Sequence, residues 1–352
     1  MTERDDGLRA EIAAALRTFV VERRAAYRTL GPEVAALIDT LADASTGGKL
    51  VRPVFCYWGW RAAGGAAEAP ALVRASVALE LLHAGALVHD DVLDSSDTRR
   101  GRPSVHRSFA AEHERRRWAG EPTAFGTAAA ILLGDLCLAW SDEALRGSGL
   151  PADVVARGFD VFDLMRSEVM FGQYLDIVAQ ASTTRSVEAA RTVVRLKSAS
   201  YTIQRPLQLG AALAGGDDGV AAALAAYGRP VGEAFQLRDD LLGMFGDSVT
   251  TGKPAGDDLR EGKRTVLLTL AYGSATPGQS AVLDRAAGNR ALDADDLAAA
   301  REVMVATGAV DRVEAMIGEL RQRGRDALQA IAHDEAKAAL EQLAATVTDR
   351  VR

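Results

Sequence analysis

Apolar residues recur along most of the chain at intervals of three and four, the spacing of one face of an α-helix. Glycine and proline interrupt the pattern at Gly31-Pro32, Gly64-Gly65, Gly101 to Pro103, Gly149 to Pro151, Gly215-Gly216 and Thr251 to Gly256. The segments between them predict roughly a dozen helices. Pro32, Pro70 and Pro151 each precede an apolar-periodic run, where the missing N–H of a first helical residue costs nothing. Pro206 and Pro230 fall inside helical patterns and predict kinks or breaks. The run from Ala71 to Asp94 is nearly all apolar until its acidic end, so its helix should be buried on most sides. Phe125 to Leu145 and Val231 to Phe245 have the same character, and a bundle around a shared interior is the economical arrangement.

Composition supports an all-α reading. With 352 residues, 48% of them hydrophobic, the chain can bury a large core, while only 5% are aromatic and β-branched runs are short. No linker, repeat or low-complexity tract divides it, so residues 1–352 are expected to form one domain. A formal net charge of −7 argues against nonspecific binding of nucleic acid. Cys56 and Cys137 lie in apolar helical surroundings without metal-ligand spacing and read as reduced core residues. The N-terminus is polar, and no apolar run reaches the roughly 18 to 20 residues of a membrane span, so a cytoplasmic protein without a membrane segment is expected.

The chemistry is concentrated in two acidic clusters, His89-Asp90-Asp91-Val92-Leu93-Asp94 and Phe235-Gln236-Leu237-Arg238-Asp239-Asp240, each ending an apolar helical pattern. On a helix Asp90 and Asp94 share a face, with Asp91 about 100° round. Three like charges so close repel unless a cation neutralises them. All-oxygen ligands suit magnesium, which shares its remaining positions with water and phosphate. A solvated acidic helix end is the plain alternative; the apolar residues before each cluster and the recurrence of the pair argue against it. Cations are equally concentrated. Lys49 and Arg52, Arg99 and Arg100, Lys197, Lys253 and Lys263 are candidate diphosphate ligands, arginine gripping phosphate bidentately and lysine acting as a point charge. Arg99, Arg100, Arg102 and Arg107 could instead form a solvated basic loop. More basic motifs are present than one diphosphate needs.

These landmarks taken in order resemble the trans-isoprenyl diphosphate synthase (polyprenyl synthetase) family over nearly the full length. They are Gly47-Gly48-Lys49 with Arg52-Pro53, Leu79-Glu80-Leu81-Leu82-His83, Asp90-Asp91-Val92-Leu93-Asp94, and Arg99-Arg100-Gly101 with Pro103 and His106. Gly172-Gln173 with Asp176, Lys197-Ser198, Phe235-Gln236 with Asp239-Asp240, Gly252-Lys253, and Gly262-Lys263 with Thr265 complete the set. The resemblance implies an isoprenoid-synthase fold, a bundle of helices around a deep central cavity, usually homodimeric. It implies that Asp90, Asp94 and Asp239 hold magnesium, three ions per site, with Asp91 and Asp240 in support. Arg99, Lys197, Ser198, Gln236, Lys253 and Lys263 would grip an allylic diphosphate, and Lys49, Arg52, His83 and Arg100 isopentenyl diphosphate. The implied reaction is ionisation of the allylic diphosphate, head-to-tail (1'-4) condensation with isopentenyl diphosphate, and loss of a proton. No side chain reads as a dedicated general base, and the released diphosphate is the expected proton acceptor.

The chain departs from the family pattern in two places: Gly243 stands where the second motif usually has its last aspartate, and Ser198 where threonine is usual. Weaker metal affinity, not inactivity, is expected from the first. Gly85 and Ala86 lie roughly 6 to 7.5 Å down the helix from the first aspartate, and Leu82 about 12 Å. In the family, bulky aromatics at the first two positions stop growth near fifteen carbons. Small residues there favour geranylgeranyl diphosphate, the twenty-carbon product, with farnesyl or products of twenty-five carbons and more as alternatives. The plain alternative is that Gly85 and Ala86 permit close helix packing. A class I terpene cyclase would want a different second metal motif and an aromatic pocket. A non-catalytic partner subunit should have lost more metal ligands.

Overall fold

A buried helix whose last turn is acidic is the element on which the rest is assembled. The structure, a computed structural model, describes residues 3–246 and 255–349. Helices α1 (Glu3–Ala26), α2 (Pro32–Ser45) and α3 (Val51–Ala62) lead into α4 (Pro70–Leu93), which Pro70 opens as its first residue. A two-stranded hairpin, β1 (Thr98–Arg99) and β2 (Arg102–Pro103), follows, then α5 (Val105–Arg116), α6 (Pro122–Arg146) and α7 (Ala152–Ala181). Helix α8 (Val187–Val193) runs into a π-helical segment, Val194–Gln204, and on into α9 (Arg205–Leu213) and the long α10 (Asp218–Phe245). The short α11 (Asp257–Glu261) precedes α12 (Val266–Ser274), α13 (Pro277–Ala286), α14 (Ala294–Ala306), α15 (Ala309–Ala327) and α16 (Asp334–Thr348).

The three apolar runs form helices close to their expected limits, but α10 starts well before Val231 and continues through Pro230 without a break. Pro230 is buried between Gly228 and Gly232, and the packing of α10 on both sides offsets the hydrogen bond that proline removes. Pro206 does mark a change: it is the second residue of α9, where π winding gives way to α.

The core forms two buried clusters joined by α10. Leu224, Tyr227 and Val231 pack with α1, α3, α4 and α6, while Ala234, Leu237, Leu241 and Met244 pack with α12, α14 and α15. By length and composition α4 and α6 are both long and apolar enough to cross a membrane, contrary to the expectation that no such run exists. Most of the apolar window of α4, 72%, is buried inside the protein, whereas for α6 the share is 33%.

Glycines set the closest approaches. A Cβ at Gly210 of α9 would lie 1.8 Å from the Cys56 carbonyl oxygen of α3, and one at Gly59 of α3 would lie 2.0 Å from the Leu207 carbonyl oxygen of α9. Gly210→Ala should therefore destabilise by about 3 kcal/mol or more, the upper end of overpacking because backbone rather than a side chain must move. A thermal melt of the variant checks this; an unchanged midpoint would mean that α3 and α9 are not in contact there.

Candidate active site

The end of α4 is shaped by its own sequence. Asp94 caps the helix with its N–H on the Asp90 carbonyl at 2.8 Å, Ser95 takes the left-handed conformation (φ 52°), and the Ser96 N–H returns to the Asp91 carbonyl at 2.9 Å. The hairpin then turns at Arg100 (φ 52°) and Gly101 (φ 73°), two consecutive left-handed residues, as a tight two-residue connection requires. That turn divides the arginines. Arg99 Nε donates to Asp91 Oδ1 at 2.9 Å and its Nη2 lies 3.5 Å from Asp90 Oδ2, whereas Arg100 Nη1 donates to the Thr46 carbonyl at 2.7 Å.

Each carboxylate of the first cluster meets a cation from a different segment. Lys197, from the π-helical segment, has Nζ 3.1 Å from Asp90 Oδ1 and 2.6 Å from Asp176 Oδ2 of α7. Lys263, from the turn after α11, has Nζ 2.9 Å from Asp94 Oδ2, 2.6 Å from Glu261 Oε2 and 3.4 Å from Asp258 Oδ1. Burial alone would push Asp90 up, but Lys197, Lys263 and Arg99 together hold it well below the usual carboxylate range. Burial keeps Asp94 above that range despite Lys263. Lys263 is held well above the usual lysine range, Asp258, Asp90, Asp94 and Glu261 outweighing its burial. Ser198 follows Lys197 on the same segment and is half-buried.

The position of Lys197 depends on glycines. A Cβ at Gly172 of α7 would lie 2.3 Å from the Lys197 backbone nitrogen, and one at Gly232 of α10 would lie 2.6 Å from the Ala199 carbonyl oxygen. The π-helical segment is thus clasped by α7 and α10 at backbone contact, and π winding is a form often found at functional sites.

The second acidic cluster lies near the C-terminal end of α10. Asp240 is 7% exposed; its Oδ1 accepts from Gln236 Nε2 at 2.8 Å, and its Oδ2 has no hydrogen-bond partner among the described residues. Burial, with Asp258 and Asp239 adding repulsion, pushes its carboxyl up to about 8. Asp240, Gly243, Asp258 and Lys263 line one small cavity. Asp239 is half-buried on the same helix. A buried carboxylate oxygen lacking a partner, next to further carboxylates, is a position a divalent cation would complete. Among the described residues no group of three or more acidic, His or Cys side chains could hold an ion unaided. Carboxylate oxygens suit magnesium, which takes one or two of them and fills its shell with water and phosphate oxygens.

A second basic group adjoins the first. Arg52 Nη2 donates to Thr202 Oγ1 at 3.0 Å and its guanidinium lies 4.1 Å over the Tyr201 ring, whose hydroxyl pairs with His83 Nδ1. Burial, then Arg52 and Arg100, depress His83 well below its ordinary value, so the ring is neutral. Glu80 is buried with Oε1 unpaired among the described residues, and burial raises its carboxyl despite Arg52 and Arg100. Lys49 is exposed and follows Gly48, where a Cβ would lie 3.4 Å from Arg100 Nη2 and 3.5 Å from Glu80 Oε2.

Against these placements, a sequence profile of the family described as Polyprenyl synthetase matches residues 34–304. The chain belongs to the polyprenyl synthetase family. It is a prenyltransferase with the isoprenoid-synthase fold. The crystal structure of geranylgeranyl pyrophosphate synthase from Corynebacterium glutamicum, complexed with isoprenyl diphosphate and magnesium, superposes with a TM-score of 0.95 at 40% identity, covering 99% of this chain and 100% of that one. A geranylfarnesyl diphosphate synthase of Aeropyrum pernix is 30% identical, covering 89% of this chain and 95% of the relative. A (2E,6E)-farnesyl diphosphate synthase of Mycobacterium bovis is 33% identical, covering 86% and 80%.

Within this polyprenyl synthetase, the structure brings Asp90, Asp91, Asp94, Arg99, Lys197 and Lys263 together, and Arg52, His83 and Arg100 beside them. Lys253 lies outside the described residues. Gly85 does not line an open face of α4: it meets α6, where a Cβ would lie 3.0 Å from both Cys137 Cβ and the Gly134 carbonyl oxygen. Close helix packing accounts for that glycine. Leu82 is fully buried in the core. Sequence reading missed the roles of Asp176, Tyr201, Thr202, Asp258 and Glu261. Asp176 stood among the landmarks without a partner, and Glu261, two residues before Lys263, carried only the signal of its proximity.

In metal-free protein Asp240 keeps its proton when folded and loses it when unfolded between the ordinary carboxylate range and about pH 8. The folded state binds more protons in that window, so the contribution of Asp240 to stability falls as pH rises through it. With chelator present, the melting temperature of the wild type should fall relative to Asp240→Asn between pH 5 and pH 8. A difference independent of pH would contradict the raised carboxyl.

Proposed function

We propose that this prenyltransferase condenses isopentenyl diphosphate with an allylic diphosphate, head to tail, and releases a linear all-trans prenyl diphosphate longer by five carbons, ending at twenty. The observation that carries this reading is the convergence of Lys197, Lys263 and Arg99 from three segments on the carboxylates of α4. The allylic C–O bond breaks with both electrons leaving on diphosphate, a C–C bond forms to the isopentenyl double bond, and the new carbocation loses a proton to the released diphosphate, forming the new double bond.

Magnesium held by Asp90, Asp94 and Asp239 would supply Lewis-acid charge to the leaving diphosphate. In this reading Lys197, Lys263 and Arg99 turn from their carboxylates to the phosphate oxygens and stabilise negative charge that grows only in the transition state. Gln236 orients Asp240, and the hydroxyl of Ser198 is a further donor. Arg52, Arg100, Lys49 and neutral His83 form the pocket for the second diphosphate, with the stacked Tyr201 fixing the Arg52 plane.

Chain length is read from the half-buried side of α4. His83, Ala86, Leu87 and Asp90 are half-buried at helical spacing, so a tail attached near Asp90 passes Ala86 first. The small Ala86 leaves that path open, which favours geranylgeranyl diphosphate over farnesyl diphosphate.

A homodimer is supported by an exposed apolar face. Ile131 and Leu132 of α6 and Met170, Phe171, Tyr174 and Ile177 of α7 are exposed at helical spacing, a patch that isolated subunits seldom leave uncovered. Two such faces would bury each other about a two-fold axis. We read residues 1–352 as one domain acting in the cytoplasm.

Incubation with magnesium, isopentenyl diphosphate and dimethylallyl, geranyl or farnesyl diphosphate, followed by dephosphorylation and mass identification, should give the linear twenty-carbon alcohol. A cyclic hydrocarbon, or no elongation from any primer, would overturn the reaction. Ala86→Phe should shift the product to fifteen carbons at retained turnover. Lys197→Ala should lower kcat by roughly 10²- to 10³-fold, the loss typical of one preorganised donor. For assembly, sedimentation should show a species of twice the chain mass, reduced to the monomer by combining Phe171→Glu with Tyr174→Glu.

A further inference from the structure

Helix α7 carries Glu168, Gly172 and Asp176 at intervals of four, on one face, and all three meet the π-helical segment 194–204 or its end. Asp176 Oδ2 pairs with Lys197 Nζ at 2.6 Å, and Gly172 admits the Lys197 backbone. Glu168, the third, is not among the residues of the site described above. Its Oε2 accepts from Ser200 Oγ and, at 2.9 Å, from Arg205 Nε, while its Oε1 accepts from Arg205 Nη2. Burial pushes the Glu168 carboxyl up, but the hydrogen bonds from Arg205 and Ser200, with the Arg205 charge, hold it below its ordinary value. Ser200 is itself buried.

The two residues that Glu168 grips are five apart, an interval particular to π winding. The Arg205 N–H donates to the Ser200 carbonyl, the bond across five residues that defines a π turn. On an α-helix, residues five apart point about 140° from each other. In π winding they stand roughly one above the other, as residues four apart do on an α-helix. One carboxylate spanning both therefore closes the last π turn from outside, and α winding would carry one of the two away from it. The same interval serves the site. Lys197, whose Nζ is 3.1 Å from Asp90 Oδ1, and Thr202, whose Oγ1 accepts from Arg52 Nη2 at 3.0 Å, are also five apart.

We propose that Glu168 is a positioning residue: by joining Ser200 to Arg205 it holds the segment 194–204 in its π register. That register sets Lys197 at the first diphosphate and Thr202, with Tyr201, behind Arg52 at the second, so the assignment rests on the two-diphosphate reaction proposed above. In a merely structural role the ion pair would only tie α7 to α9, and its loss would lower stability alone.

The test is steady-state kinetics with magnesium, geranyl diphosphate and isopentenyl diphosphate, run well below the melting temperature of each variant. Glu168→Ala should lower kcat roughly 10²-fold, the cost of displacing catalytic groups by about 1 Å, and should raise KM for both substrates. Ser200→Ala, which removes one hydroxyl and keeps the Arg205 pair, should lower kcat less, and the double variant should be no slower than Glu168→Ala because both act through one clamp. Glu168→Gln, whose amide oxygen can still accept from Ser200 and Arg205, should recover most of the rate. A folded Glu168→Ala with a lower melting temperature and unchanged kcat overturns the proposal, as do additive losses in the double variant. Should Glu168→Ala fail to fold, an unchanged kcat in Ser200→Ala overturns it equally. A wild type that elongates no primer would refute the reaction instead, which keeps the two failures apart.

Discussion

Negative charge at the wrong end of a helix is the constraint around which this molecule is organised. The C-terminal end of an α-helix already carries partial negative charge, and carboxylates there are disfavoured. Yet α4 ends in Asp90, Asp91 and Asp94, and α10 places Asp239 and Asp240 in its last turns. Burial removes the water that would screen them. The fold answers at α4 with one cation for each carboxylate, taken from the hairpin, the π-helical segment and the turn after α11. At α10 the answer is incomplete, and Asp240 remains short of compensating charge. A protein built only for stability would replace such a group with an apolar one. The retained imbalance is what the proposed magnesium would use.

Delivering those cations requires backbones to approach more closely than side chains allow. Gly172 and Gly232 let α7 and α10 touch the segment bearing Lys197, and Gly59 and Gly210 do the same for α3 and α9. The π winding follows within that clasp and directs Lys197 toward Asp90 and Asp176 at once. Tyr201 and Thr202, on the same segment, reach Arg52 and His83. One irregular segment thus joins the two basic groups, so a shift of its winding would disturb both groups together.

Much of this was legible in the sequence because it is periodic or clustered. Apolar spacing gave α4, α6 and most of α10, and the two acidic clusters with their basic followers gave the chemistry. What escaped depends on distant contacts. The π winding has no periodicity signature, and the interruption expected at Pro230 was overridden by packing of α10 on both sides. The pairing of Lys197 with Asp176 joins two helices, and nothing local announces it. Gly85 illustrates the ambiguity of small residues: an open path and a tight helix contact demand the same side chain, and only the position of α6 decides between them.

The same geometry explains why family membership leaves product length open. Synthases named for farnesyl, geranylgeranyl and geranylfarnesyl products resemble this chain to a similar degree. In the reading proposed above, length depends on the few residues on the half-buried side of α4 below Asp90 rather than on its charged end. On that side α4 presents Ala86 and Leu87, with Gly85 withdrawn against α6. Substitution at Gly85 would have to move Gly134 and Cys137 before it could narrow the path, disturbing the extensive contact that holds α4 in place. Ala86 carries no such obligation. In that reading, position 86 can be changed without disturbing the packing of α4 on α6, because the packing face and the half-buried face of α4 are separate.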